Sequence, residues 1–244
     1  MEAKRLTPAT GPRPTSNWIV LWGSLTLLLL LVGLYLALLW APEEATMGIY
    51  QRIFYYHVPA AITAFVAFFI NLVASVVYLL RRSRIADAWA VASAEVGVVF
   101  LTINLITGPI WAKPIWGIWW TWDARLTLDL VLWVMYVSYL LLRQLTPRGE
   151  LQPRLAAALA CFFFVDVPIN YMAIRWWHTQ HPQPVIFGGP GSGLAPPMYV
   201  ALAICWMAFM ALGYVLLRLR IEQEMDRHAL DDAQRALLLE DVGG

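Results

Sequence analysis

An all-α polytopic membrane protein is predicted, a six-transmembrane-helix bundle with a short interfacial Trp-rich helix on its outer face. Three observations carry that prediction. Of 244 residues, 60% are hydrophobic and only 14% charged, whereas soluble domains carry about 25% charge. Six apolar runs stand at Trp18–Trp40, Val58–Leu80, Ala88–Ile110, Leu126–Leu142, Leu155–Ile174 and Met198–Leu217, each near the ~20 residues that cross a hydrocarbon core as helix. Between the third and fourth runs lies W-A-K-P-I-W-G-I-W-W-T-W-D-A-R-L-T, Trp111 to Thr127, with five tryptophans in 17 residues. The chain divides into a cytoplasmic N-terminus (1–17), the six-helix domain (18–218) and a cytoplasmic helical tail (219–244).

The first run follows Lys4, Arg5 and Arg13, as in a signal peptide, but is too long for the 7–15-residue apolar core of one and is expected to stay in the membrane. Lys and Arg set the orientation. Thirteen fall on the side of the N-terminus, the second and fourth loops and the tail, against Arg52, Lys113, Arg125 and Arg175 on the other. The positive-inside rule then places both termini in the cytoplasm and the tryptophan stretch outside. The first outer loop holds Tyr55, Tyr56 and His57, and Val58-Pro59 opens the second span with proline in its first turn. Trp116, Trp119, Trp120 and Asp123 follow the i, i+3, i+4, i+7 spacing of one helical face, with Pro114 in the first turn. In the fifth span Pro168 predicts a kink. The fifth loop reads R-W-W-H-T-Q-H-P-Q-P, so Trp176 and Trp177 neighbour His178 and His181, and a Gly/Pro-rich run, Gly188 to Pro197, returns the chain to the sixth span as a linker or lid. The charged tail beyond is expected to be a solvated helix, His228 included.

Several functions are excluded. A net charge of +1 gives no reason to expect nucleic acid. Cys161 and Cys205 share no C-x-x-C spacing, so disulfide, zinc and thiol redox chemistry are not suggested, and C-x-x-C-H for covalent haem is missing. Neither a Gly-rich phosphate loop nor a Ser–His–Asp order points to an enzyme.

Tryptophan settles where one side is apolar and the other wet, so the cluster reads either as an aromatic belt or as a binding platform. Two imidazoles on opposite faces of a flat macrocycle make a bis-His haem site, and His57 and His181 flank the tryptophans from two loops on one side. Each histidine could also be a polar cap at the interface. Glu95, Asn104, Asp129, Asp166 and Asn170 lie within spans and serve either a path through the bundle or hydrogen bonding between helices, Asp129 being the foremost functional candidate.

W-G-I-W-W-T-W-D-A-R-L-T (Trp116 to Thr127) resembles the WWD signature of haem-handling proteins of cytochrome c biogenesis. With Y-Y-H-V-P-A-A at Tyr55 to Ala61, six spans and this length, the chain resembles the cytochrome c maturation protein C family, also called haem exporter protein C. The likeness covers about Tyr50 to the end of the sixth span. The resemblance implies haem b bound at the periplasmic face by axial ligands His57 and His181, the latter placed by W-W-x-T-x-H, with Trp116, Trp119, Trp120, Trp122, Asp123 and Arg125 as further haem-binding residues. It implies delivery of haem to a periplasmic chaperone, the maturation E protein, within an inner-membrane complex of ABC transporter subunits and a small membrane subunit. His178 stands where no family ligand is expected, and Asp166 in V-D-V-P-I replaces an expected Asn. Haem transport through the bundle, and a structural subunit that binds no haem, are the alternative functions.

Overall fold

A computed structural model describes residues 17–147, 149–177, 179–181 and 193–243. The described chain forms α1 (Asn17–Tyr35), continued by a π turn at Leu36–Trp40, a 3₁₀ turn at Ile49–Ile53, then α2 (Phe54–Arg81), α3 (Arg84–Trp116), α4 (Ala124–Leu145), α5 (Leu151–Phe163), α6 (Asp166–Trp176) and α7 (Pro196–Gly243). Six helical stretches, with α5 and α6 counted as one, are long and apolar enough to cross a membrane, so the protein is a multi-pass membrane protein.

Each boundary has a local cause. Arg82 adopts φ 54° and ends α2, and the Ser83 hydroxyl accepts from Ala86 N at the start of α3. Gly117, at φ 77°, closes α3, where a side chain would be strained. The Asp123 carboxylate caps α4 by accepting from Leu126 N at 3.1 Å. Pro168 is the third residue of α6; the chain turns at Phe164–Val165 just before it, so the expected kink is a full break between two helices.

α2 and α3 form the centre, packed by small residues. Ala60, Ala64 and Ala67 of α2 and Ala88 and Ala92 of α3 are buried, allowing close approach where no water drives association. At Gly97 a Cβ would lie 2.3 Å from the Phe68 ring, and Phe68 itself stacks on Tyr136 at 3.8 Å. Asn71 Nδ2 donates to Ala90 O at 2.7 Å and Trp133 Nε1 to Thr102 Oγ1 at 2.8 Å, so polar groups also tie the spans. The peripheral α1 leaves most of its apolar surface outward and meets α7 through Gly33 against Cys205 and Trp22 edge-on to Tyr214.

The tail differs from expectation. α7 has 48 residues, about 72 Å at 1.5 Å per residue, against a hydrocarbon core of ~30 Å. It continues from the sixth span without interruption, as expected, but the part beyond position 218 stays packed along α3 instead of standing free in solvent. Ile221 and Glu224 are buried, Arg220 pairs with Glu95, and Arg84 with Asp232. His228 Nε2 lies 3.6 Å from Asp87, which holds Arg143 in a two-pronged ion pair at 2.6 and 2.9 Å. The charges that made this stretch look solvated are the groups that dock it.

Candidate functional site

At the tryptophan end of the bundle, a shallow cleft opens to solvent between α2, α3, the start of α4 and the segment after α6. Both candidate histidines line it. The segment holding Tyr55, Tyr56 and His57, expected as a loop, is helical, because the 3₁₀ turn feeds directly into Phe54. Pro59 is consequently the sixth residue of α2. Helix fixes His57, which is 9% exposed, while His181 sits on the connection after α6. Their ring centroids are 6.4 Å apart with planes tilted 31°. With metal–nitrogen bonds of about 2 Å and roughly 1.2 Å from nitrogen to ring centre, two imidazoles on opposite sides of one metal atom would stand about 6.4 Å apart.

The surroundings suit a flat aromatic guest. Trp116, Trp120, Ile115 and Leu126 line the cleft together with Trp111, whose ring meets His57 edge-on at 5.7 Å. The indole N–H groups of Trp111 and Trp120 are buried and donate to no described residue, leaving two donors beside an apolar cleft. Among the described residues no group of three or more His, Cys, Asp and Glu could hold a bare ion. Two imidazoles with aromatic walls are a donor set that would fit a metal already carried in a flat macrocycle.

The tryptophan segment is not the helix expected of it. Trp116 ends α3, and residues 118 to 123 run without helix to the start of α4. Gly117 in the left-handed region ends α3, and extended Asp123 caps the start of α4, so neither helix continues into the residues between them. Pro114 thus belongs to the last turn of α3. The periodicity of Trp116, Trp119, Trp120 and Asp123 is replaced by alternation: Trp116 and Trp120 line the cleft, whereas Trp119 and Trp122 are 57% and 76% exposed. Trp119 lies beside Lys113 Nζ, and Trp122 edge-on to Trp120. Besides capping α4, Asp123 accepts from the Thr121 hydroxyl at 2.8 Å. Arg125 points inward: it donates to Asn170 O at 2.7 Å and to Asn170 Oδ1, stands 3.7 Å from Asp129, and Asn170 Nδ2 donates to Asp129 Oδ1 at 2.9 Å. This closed network joins α4 to α6 under the cleft, with Asp129 on its wall. His178 lies outside the described residues, as does half of the Gly/Pro-rich run, residues 188–192.

The family model of heme exporter protein C matches residues 5–236. The chain belongs to the heme exporter protein C family. A heme exporter protein C of Haemophilus influenzae is 34% identical over 228 residues, 93% of this chain and 92% of that protein. The protein of that name from Escherichia coli K12 is 36% identical over 166 residues, 68% of each chain. A mitochondrial protein of Marchantia polymorpha, named for cytochrome c biosynthesis, is 29% identical over 192 residues, 79% of this chain and 81% of its own.

Asn104, Thr107, Gly108 and Trp111 surround His57, and sequence reading had given none of them that place. A Cβ on Gly108 would stand 3.3 Å from His57 Cε1, and Thr107 Oγ1 lies 2.9 Å from His57 Nδ1. The four follow i, i+3, i+4, i+7 spacing along α3, a pattern that the boundary between the third apolar run and the tryptophan stretch divides.

Proposed function

We propose that this heme exporter protein C family member handles haem for cytochrome c biogenesis, binding haem b at the periplasmic face of the inner membrane through His57 and His181 and delivering it to a periplasmic haem chaperone. The observation that carries the reading is the 6.4 Å spacing of the two imidazoles across a cleft walled by tryptophan. The excess of Lys and Arg at the opposite end supports cytoplasmic termini and a cleft that faces the periplasm. Membership of the family supports work within a haem export complex, in which this reading takes ABC transporter subunits and a small membrane subunit as partners.

Haem is cargo in this reading, and the protein's part is binding and orientation rather than catalysis of a bond-making step. When bound, the iron takes one imidazole on each face. Trp116 and Trp120 cover the porphyrin, and the free indole N–H groups are donors for its carboxylates. Asp123 and Arg125 act by holding the start of α4, and through it the wall of the cleft, in place. Exposed Trp119 and Trp122, with exposed Trp176 and Trp177 at the end of α6, form the surface that a chaperone meets.

A route through the bundle is less favoured. Asn104 and Asp129 line the cleft, but Glu95 is engaged by Arg220 towards the other end. Fully buried Phe68, Phe100, Leu101, Leu132 and Tyr136 fill the core.

The test is haem transfer. Haem-loaded protein mixed with the haem-free chaperone is expected to pass its haem on. Trp119→Ala and Trp122→Ala should bind haem normally yet transfer it several-fold more slowly. Transfer at the unaltered rate by both variants would remove the docking role, and failure of the unaltered protein to transfer at all would remove the function.

A further inference from the structure

Thr107 has a single hydroxyl proton, and two carbonyls of its own helix are in reach, Ile103 O at 2.8 Å and Asn104 O at 3.2 Å. With the proton committed there, Oγ1 meets His57 Nδ1, 2.9 Å away, only as an acceptor. That arrangement calls for the imidazole hydrogen on Nδ1 and the lone pair on Nε2.

Asn104 leaves that lone pair available. Its Nδ2 is 3.4 Å from Nδ1 and 3.3 Å from Nε2. A nitrogen so nearly equidistant from both cannot lie in the ring plane without striking Cε1, so it rests over the face of the imidazole. There it donates to His57 O at 3.2 Å. Asn104 covers one face of the ring, Trp111 packs against it edge-on, and Gly108 makes room at Cε1.

We propose that Thr107 is a positioning residue that fixes His57 as the Nδ1–H tautomer and so makes Nε2 its ligating nitrogen. The assignment rests on the reading of His57 as a haem ligand. It also sets the strength of that ligand. Hydrogen bonding at the outer nitrogen raises the basicity of a bound imidazole. A neutral hydroxyl draws on the Nδ1 hydrogen less than a carboxylate would, which gives a bond firm enough to orient the iron and weak enough for a cargo that must leave.

The experiment compares Thr107→Val, which keeps the shape and removes the acceptor, with Thr107→Ser, which keeps the acceptor, and with His57→Ala, all in the full-length purified protein. Thr107→Val is expected to bind haem about 10–100-fold more weakly. The haem it holds should show a midpoint potential shifted positive, because a weaker donor stabilises ferric iron less. Thr107→Ser should restore both. Should Thr107→Val fail to accumulate, Thr107→Ala provides the same comparison without a branched side chain. Unaltered affinity and potential in Thr107→Val or Thr107→Ala, with haem lost from His57→Ala, would overturn the Thr107 assignment alone. An unchanged haem spectrum in His57→Ala would overturn the ligand reading and this inference with it.

Discussion

Gly108 shows how tightly the candidate site is drawn at the scale of single residues. A methyl group there would stand 3.3 Å from His57 Cε1, a contact that only a small shift of the imidazole relieves. Gly108→Ala is therefore expected to leave folding nearly unchanged while lowering haem content several-fold, checked by haem per protein and thermal unfolding on one preparation; full haem content would show that the ring has slack. Much at this scale was legible beforehand. His57, His181, Trp116 and Trp120 come together in one cleft as a reading of loops and spacing anticipated. Arg125 and Asp123 are placed differently, one turned into the bundle and one spent on a helix cap. Neither is visible in composition, since a charged residue beside a helix start can face solvent, ligand or its own backbone.

Among elements, the connection between α3 and α4 departs most from expectation. Helical spacing of tryptophans promised an amphipathic turn, but two capping residues six positions apart fixed the backbone first. Asp123→Ala should cost about 0.5–2 kcal/mol, the usual effect of losing an N-cap, and should loosen the segment that carries Trp119 and Trp122. Asp123→Asn preserves the cap and should restore stability. A haem defect shared by both variants would instead show that the carboxylate charge is required, which thermal unfolding beside haem content distinguishes. The neighbouring packing is equally particular. Gly97→Ala drives a methyl group into Phe68, already stacked on Tyr136, so a loss of about 1–3 kcal/mol in denaturant unfolding is expected. Proline signals were legible in kind but not in degree: Pro168 predicted a kink and accompanies a break, while Pro59 and Pro114 lie deeper in their helices than first-turn positions.

For the whole molecule, the six spans were legible because a chain in lipid must satisfy its backbone internally, and helix is the form that apolar runs of this length take. What composition hid is the packing of the end of α7 along α3, since ion pairs between distant segments leave no local pattern. Asp87 and Arg143, both nearly buried, hold that end together with His228. Asp87→Ala strands the Arg143 charge and should cost about 3–5 kcal/mol, measurable as a large fall in unfolding temperature, whereas a near-neutral result would mean that water reaches the pair. The opposite end carries the functional claim, that His57 and His181 together hold the iron of one haem. It is tested most directly by the absorption spectrum of the purified haem-loaded protein, oxidised and reduced, beside His57→Ala and His181→Ala. The account predicts a six-coordinate, low-spin haem with two imidazoles in the unaltered protein, and in each variant its loss or conversion to a five-coordinate form. A spectrum unchanged by both substitutions would contradict it.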